Sequence, residues 1–261
     1  MRKIISVLII TFVTVNLFSQ TNMVIRRTDN STITVPISEI DSVYYEASLP
    51  NTLIDYDGNV YTSIIIGTQE WMAENLRVTH YPNGDPIPLI TDETDWGNLA
   101  TNNTSDAYSY YNNNSSSEAY IYGALYTYAA AIGDNWARDN TNDQGVCPNG
   151  WHLPTDVEWD ALNTYLGANA GSKLADNAYF WTNGNLDQSA DFSTSGFDAL
   201  PGGYRYNDGT FLDLGNLGFW WTAIESSSIY AYSRYLHYDD TNVGSNYYAK
   251  SFGFNVRCVK N

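Results

Sequence analysis

Residue types that carry chemistry are few in this chain, and they are scattered. The histidines are His80, His152 and His237, and the cysteines are Cys147 and Cys258. No C-x-x-C, G-x-S-x-G or H-E-x-x-H occurs, and no histidine lies close in sequence to Cys258. A nucleophile with its base, or a metal motif, is therefore not spelled out, and no catalytic residue is assigned. Three local groups of carboxylates could do chemistry. Asp55, Asp57 and Asn59 offer oxygen at alternate positions, as calcium loops do, but the required glycine and flanking helices are missing. A hairpin turn at Asp57-Gly58-Asn59 is expected instead. Asp156, Glu158 and Asp160 would suit acid–base work, yet they stand in the first turn of a helix opened by Thr155. A capping box and the helix dipole account for them there. Asp239 and Asp240 are adjacent and form the third group.

The densest constellation is residues 229–250, IYAYSRYLHYDDTNVGSNYYAK. In a strand, Tyr230, Tyr232, Arg234, Leu236 and Tyr238 face one way and Ala231, Ser233, Tyr235, His237 and Asp239 the other. Neither face is cleanly apolar. Tyrosine supplies a broad, rigid surface with a hydroxyl at low entropic cost, which suits recognition. Leu236, Phe252 and Phe254 are expected in the core. A ligand-binding group is expected among Tyr235, His237, Tyr238, Asp239, Asp240, Asn246, Tyr247 and Tyr248. The competing reading packs Tyr230, Tyr232 and Leu236 inward with the hydroxyls at the rim.

The elements that must position these residues read as α+β. Val60 and its neighbours lead into a β-branched strand, Tyr61–Ile66. Residues 91–119 are low in hydrophobicity, and Asn112–Ser117 reads as a solvated loop. A helix is expected over Tyr122–Ile132, where alanines favour it. The clearest local signal is CPNGWHLPTDVEWDALNTYLG, residues 147–167. Thr155 caps a helix, Trp159, Leu162 and Leu166 share its inner face, and Gly167 stops it. Beyond Phe192 the chain is turn-rich. Pro201-Gly202-Gly203 and Asn207-Asp208-Gly209 read as turns, with Tyr204–Tyr206 pairing to Thr210–Leu212 across the second. Strands are expected at Gly218–Thr222, Ile229–Tyr238 and Phe252–Val259.

Met1-Arg2-Lys3 followed by the apolar run Ile4–Phe18 reads as a signal peptide over residues 1–20. The run is short of the about 20 apolar residues that a membrane span needs, so no membrane insertion is expected once it is cleaved. A small strand module follows over 21–48, too short to hold a core alone. Its end runs into a linker, Ala47–Thr52, and the main domain covers 53–261. The net charge is −17, with 12 Lys and Arg against 29 Asp and Glu. That balance excludes nucleic acid and disfavours anionic membrane surfaces as partners. Export permits a disulfide, and a Cys147–Cys258 bond is favoured over a reactive thiol.

Six motifs then stand in order: DYDGNVYTSIIIGTQEWMAENLRVTHY, YGALYTYAAA, CPNGWHLPTDVEWDAL, SGFDALPGGYRYNDGTF, GFWWTA and SFGFNVRCVK. Together they resemble the Fibrobacter succinogenes major paralogous domain, a family of exported bacterial proteins common in Bacteroidetes, over residues 53–261. That family is similar to the C-type lectin-like superfamily, which includes the formylglycine-generating enzymes. The resemblance implies a twisted antiparallel sheet with two main helices and long loops. It also implies first and last strands lying near each other, a geometry that fits a Cys147–Cys258 bond. It implies a binding face on the segment between the GFWW strand and the last strand. It weighs against an enzyme, because the oxidase branch relies on a pair of reactive cysteines near the C-terminus and only Cys258 stands there. Asp239 and Asp240 could hold calcium as in some lectins, but the lectin ligand tripeptides with a central proline are absent, so no cofactor is the leading expectation. The chain is thus expected to be an exported, non-catalytic module, in the periplasm, on the cell surface or outside. Its expected partner is a glycan or a surface protein. A structural subunit of an envelope or filament complex is the rival expectation, resting on the N-terminal strand module.

Overall fold

The computed structural model describes residues 3–6, 22–26, 32–36, 40–44, 51–133 and 144–261. Most of the expected leader and most of the expected linker lie outside the described residues, as does a turn expected at Asp29–Ser31 within the strand module. The chain divides into two compact units, residues 1–52 and 53–261. In the first, β1 (Lys3–Ser6) runs parallel to β4 (Ile40–Tyr44). There β2 (Asn22–Arg26) and β3 (Thr32–Pro36) form an antiparallel pair.

The second unit carries two five-stranded sheets. One contains β5 (Thr52–Ile54), β6 (Val60–Ile66), β7 (Gln69–Met72), β10 (Trp151–His152) and β16 (Val259–Lys260), in the order β10-β16-β7-β6-β5. The other contains β11 (Gly202–Arg205), β12 (Phe211–Leu214), β13 (Leu217–Glu225), β14 (Tyr230–His237) and β15 (Gly244–Ala249), in the order β12-β11-β13-β14-β15. Neighbours in this sheet are antiparallel except β11 and β13, which meet in parallel at Gly203 and Gly218. A short pair, β8 (Tyr108–Ser109) with β9 (Leu125–Tyr126), stands apart. The helices are short: α1 (Glu93–Asn98), α2 (Ser117–Tyr122), α3 (Tyr128–Ile132), α4 (Asp156–Leu166), α5 (Ala170–Leu174) and α6 (Asn185–Gln188). This is an α+β architecture.

Strand β13 explains the run GFWWT. Phe219 and Trp221 enter one hydrophobic cluster with Phe254, Tyr126 and the cysteines, while Trp220 enters another with Trp71, Trp159 and Phe197. The strand is buried on both faces, so its apolar residues are consecutive instead of alternating. The bond between Cys147 and Cys258 is formed, with both residues fully buried. Helix α4 begins as its sequence dictates. The Thr155 side chain accepts from the Glu158 amide, and the Glu158 carboxylate accepts from the Thr155 amide at 2.8 Å. Trp159 and Leu162 are buried, and Gly167 caps the end. The Asn207–Gly209 turn joins β11 and β12 with Tyr204 opposite Leu212.

Three expectations are corrected. The helix over Tyr122–Ile132 is two helices separated by β9. Gly123 sits at a φ of 77°, and a Cβ there would lie 2.8 Å from the Leu76 carbonyl oxygen. The chain turns at that point, and Ala124 and Tyr126 then donate to Leu76 and Phe254. Within residues 91–119, low in hydrophobicity as they are, Trp96 of α1 is fully buried and donates to the Ser251 carbonyl. The expected turn at Pro201–Gly203 is largely strand, since Gly202 and Gly203 belong to β11. The expected last strand is mostly irregular. Phe254, Asn255 and Gly253 make single bridges to Tyr126, Trp220 and Arg205, and only Val259–Lys260 forms a ladder. Three different partners in three residues prevent a continuous pairing.

The cap of α4 predicts a pH effect. Burial opposes the Glu158 charge, but the His152 ring and the Thr155 amide and hydroxyl outweigh it and hold the carboxyl below its ordinary range. A depressed folded pKa adds stability that is present above the unfolded value near 4.3 and is lost as pH falls through the folded value. Glu158→Gln is therefore expected to lower the urea midpoint at pH 7 and to flatten its fall between about pH 5 and 3. Parallel pH curves for the two proteins would refute this assignment.

Candidate functional site

The C-terminal tyrosines are displayed by a β14–β15 hairpin at the edge of the second sheet. Its register sets Tyr232 opposite Tyr247, Ala231 opposite Tyr248, and Arg234 opposite Ser245. Cross-strand partners share a face, so one side carries Tyr230, Tyr232, Tyr247, Arg234 and Ser245. On that side the rings of Tyr230 and Tyr232 both meet Tyr247 edge-on, at centroid distances of 5.7 and 6.1 Å. Tyr247 is 51 % exposed and Tyr230 41 %.

Burial then rises along the same face. Arg234 is buried and pairs with Asp156 at 2.9 Å and Asp160 at 3.1 Å, both on α4, and donates to Ser245. Leu236 lies in the core beside Trp159 and Leu162. Helix α4 thus covers the Arg234–Leu236 end and leaves the tyrosine end open. Asp156 and Asp160 serve as acceptors for a buried guanidinium, beyond any role at the helix N-terminus.

The eight residues singled out in the sequence do not form one surface. Tyr247 and Asn246 are exposed on β15, and Asn246 turns its side-chain oxygen to the Tyr247 amide. Tyr235 and Tyr248 lie on the opposite face, half-buried, each with its ring within 5.4 Å of the Phe219 ring. Burial raises the Tyr248 hydroxyl above its ordinary range. His237 and Tyr238 are half-buried at the far end of β14, with ring centroids 4.5 Å apart. Asp239 and Asp240 are exposed in the turn to β15. There they accept from the Asn185 and Asn242 amides. Leu236, Phe252 and Phe254 are buried as expected. Tyr230 and Tyr232 are the members that sequence reasoning set aside as inward-facing. Alternation correctly grouped them with Arg234 and Leu236, but nothing local told which half of the strand a helix would cover.

The other carboxylates and histidines are engaged in turns. Asp55 is buried and accepts from the Tyr61 hydroxyl at 2.6 Å and from Asn59. Asp57 accepts from the Thr79 amide and hydroxyl and contacts the His80 ring at 2.6 Å. Burial works against the Asp57 charge, yet those partners hold its carboxyl below the ordinary range. The His152 ring bridges Glu158 and Asn261. Among the described residues no group of three or more His, Cys, Asp or Glu is placed to hold a metal. No helix among them is long and apolar enough to cross a membrane.

Fold and surface together define an α+β domain closed by one buried disulfide, with an open tyrosine face on its edge hairpin. The chain belongs to the Fibrobacter succinogenes major domain family, whose pattern it matches over residues 64–260. No curated protein and no solved structure matches it.

Proposed function

We propose that this protein is an exported, non-catalytic binding module with a C-type lectin-like fold, and that it holds a glycan or a surface protein on the β14–β15 hairpin. The observation that carries this reading is the tyrosine trio. Tyr230 and Tyr232 each brace Tyr247 edge-on, Tyr232 is half-buried, and Tyr230 and Tyr247 remain exposed. Buried tyrosines satisfy a core, whereas mutually braced, exposed ones offer a rigid apolar plate with hydroxyls at its rim. The two antiparallel-rich sheets, the few helices and the disulfide support the lectin-like assignment. The disulfide and the apolar leader support export.

The test is a glycan-array screen of the purified protein beside Tyr230→Ala/Tyr247→Ala and Tyr235→Ala/Tyr248→Ala. The first pair is expected to weaken binding at least tenfold without lowering Tm, as hot-spot aromatics do. The second pair is expected to lower Tm, because its rings pack on Phe219. Binding is expected to persist in EDTA, since calcium has no part in this reading. A parent protein that binds no glycan and captures no surface protein would favour the assembly role instead.

A further inference from the structure

Away from the hairpin, a cleft of about 400 Å³ opens between the β5–β6 turn, the segment after β7 and the start of α2. Its lining includes Arg77, Tyr110, Tyr120, Ser115, Ser116 and Asn59. This volume is within the range that holds small ligands. Tyr120 is 78 % exposed, so its ring is an open wall.

Arg77 is the unusual member. The domain is acidic, and among the described residues its other cations are engaged. Arg234 pairs with Asp156 and Asp160, Lys250 with Glu225 and Lys260 with Glu70, while Lys173 donates to the Leu166 carbonyl. Arg205 and Arg257 are buried and held by carbonyl and amide oxygens. Arg77 makes no ion pair among the described residues. Its guanidinium lies 4.4 Å from the Tyr61 ring centroid and 5.7 Å from that of Tyr120, and donates once, to the Val60 carbonyl. Ring contacts use the faces of the guanidinium and leave its in-plane N–H groups free to donate. The nearest acid in the cleft, Asp57, is already occupied by Thr79 and His80.

We propose that this cleft binds an acidic saccharide, with Arg77 donating to a uronate-type carboxylate. Tyr120 would stack on the sugar ring, and Ser115, Ser116 and Asn59 would meet its hydroxyls. A planar guanidinium grips a carboxylate through two parallel N–H groups, a geometry that lysine does not reproduce. The carboxylate alone would leave most of the cleft empty, which is why the ligand carries a ring.

The experiment is calorimetric titration of the full purified chain with trigalacturonate, with its methyl ester and with acetate. Trigalacturonate is expected to bind, and the neutral ester and acetate to bind at least tenfold more weakly. Arg77→Met and Tyr120→Ala are each expected to weaken trigalacturonate at least tenfold, with Arg77→Lys between Met and the parent. Tyr247→Ala, on the hairpin, is expected to leave this titration unchanged, so failure here and failure of the hairpin site are separable. Comparing acid with ester on the parent protein needs no variant, which covers the case of Arg77→Met failing to fold. No heat with trigalacturonate at millimolar concentration, equal binding of acid and ester, or equal binding by folded Arg77→Met would each overturn the proposal.

Discussion

Removing the Cys147–Cys258 bond, as Cys147→Ala/Cys258→Ala, is expected to lower the unfolding free energy by about 4–5 kcal/mol. The cysteines are 111 residues apart, so the bond closes a long loop, and in the chain-entropy picture its main effect is to restrict the unfolded chain. Urea melts check this in two ways. The midpoint falls, and the slope m rises, because an open unfolded chain exposes more surface. A loss that came only from the small cavity left by the sulfurs would lower the midpoint and leave m unchanged. Both cysteines are fully buried, so the native protein is also expected to resist dithiothreitol until denaturant opens it. Rapid reduction without denaturant would show that the C-terminal segment detaches on its own.

What the sequence disclosed follows a physical division. Features fixed within a few residues were legible. Thr155 and Glu158 cap each other whatever surrounds them, Asn207-Asp208-Gly209 forces a tight reversal, and Gly218–Thr222 reads as a strand from its own residues. Features decided by distant partners were not. Gly123 breaks the alanine-rich stretch only because Asn75 and Leu76 pass close by. Phe252–Arg257 looks like a strand, yet its neighbours are three different segments. The binding face shows both behaviours. Its composition marked residues 229–250 as the display segment, whereas the choice of Tyr230 and Tyr232 over Tyr235 and Tyr248 depends on where α4 and Phe219 sit. Arg77 had no signal at all, because a cation with no ion pair among the described residues is recognised only once its neighbours in space are placed.

Asn75→Leu is expected to cost about 3–5 kcal/mol, more than an average core substitution. The Asn75 side-chain oxygen accepts from Trp220 Nε1 at 2.8 Å and from Arg257 at 2.8 and 3.1 Å, while its amide donates to the Tyr122 carbonyl. Arg257 is almost fully buried and stacked on Phe197, and among the described residues its guanidinium donates to amide and carbonyl oxygens and to no carboxylate. Burial lowers its pKa to about 9, with Asp198 and Glu74 opposing, so it remains a cation at neutral pH and needs its oxygens. Leucine at position 75 fills the space but strands those donors, and an unsatisfied buried charge is among the costliest defects. The Tyr122 carbonyl suffers less, because Asn255 also donates to it. Arg257→Met alone should be destabilising too, and the double variant Asn75→Leu/Arg257→Met should fall short of the summed losses by at least about 1 kcal/mol, since each change removes the reason for the other's cost. Asn75→Asp keeps the accepting oxygens and should be far milder at pH 7. The introduced carboxylate, facing Arg257, would have a depressed folded pKa, so its contribution should hold above about pH 4 and be lost as pH falls through the folded value. Additivity in the double variant would mean that Asn75 and Arg257 act independently. Coupling would mean that one amide oxygen ties the end of the chain to β13, the strand on which the tyrosine hairpin is built.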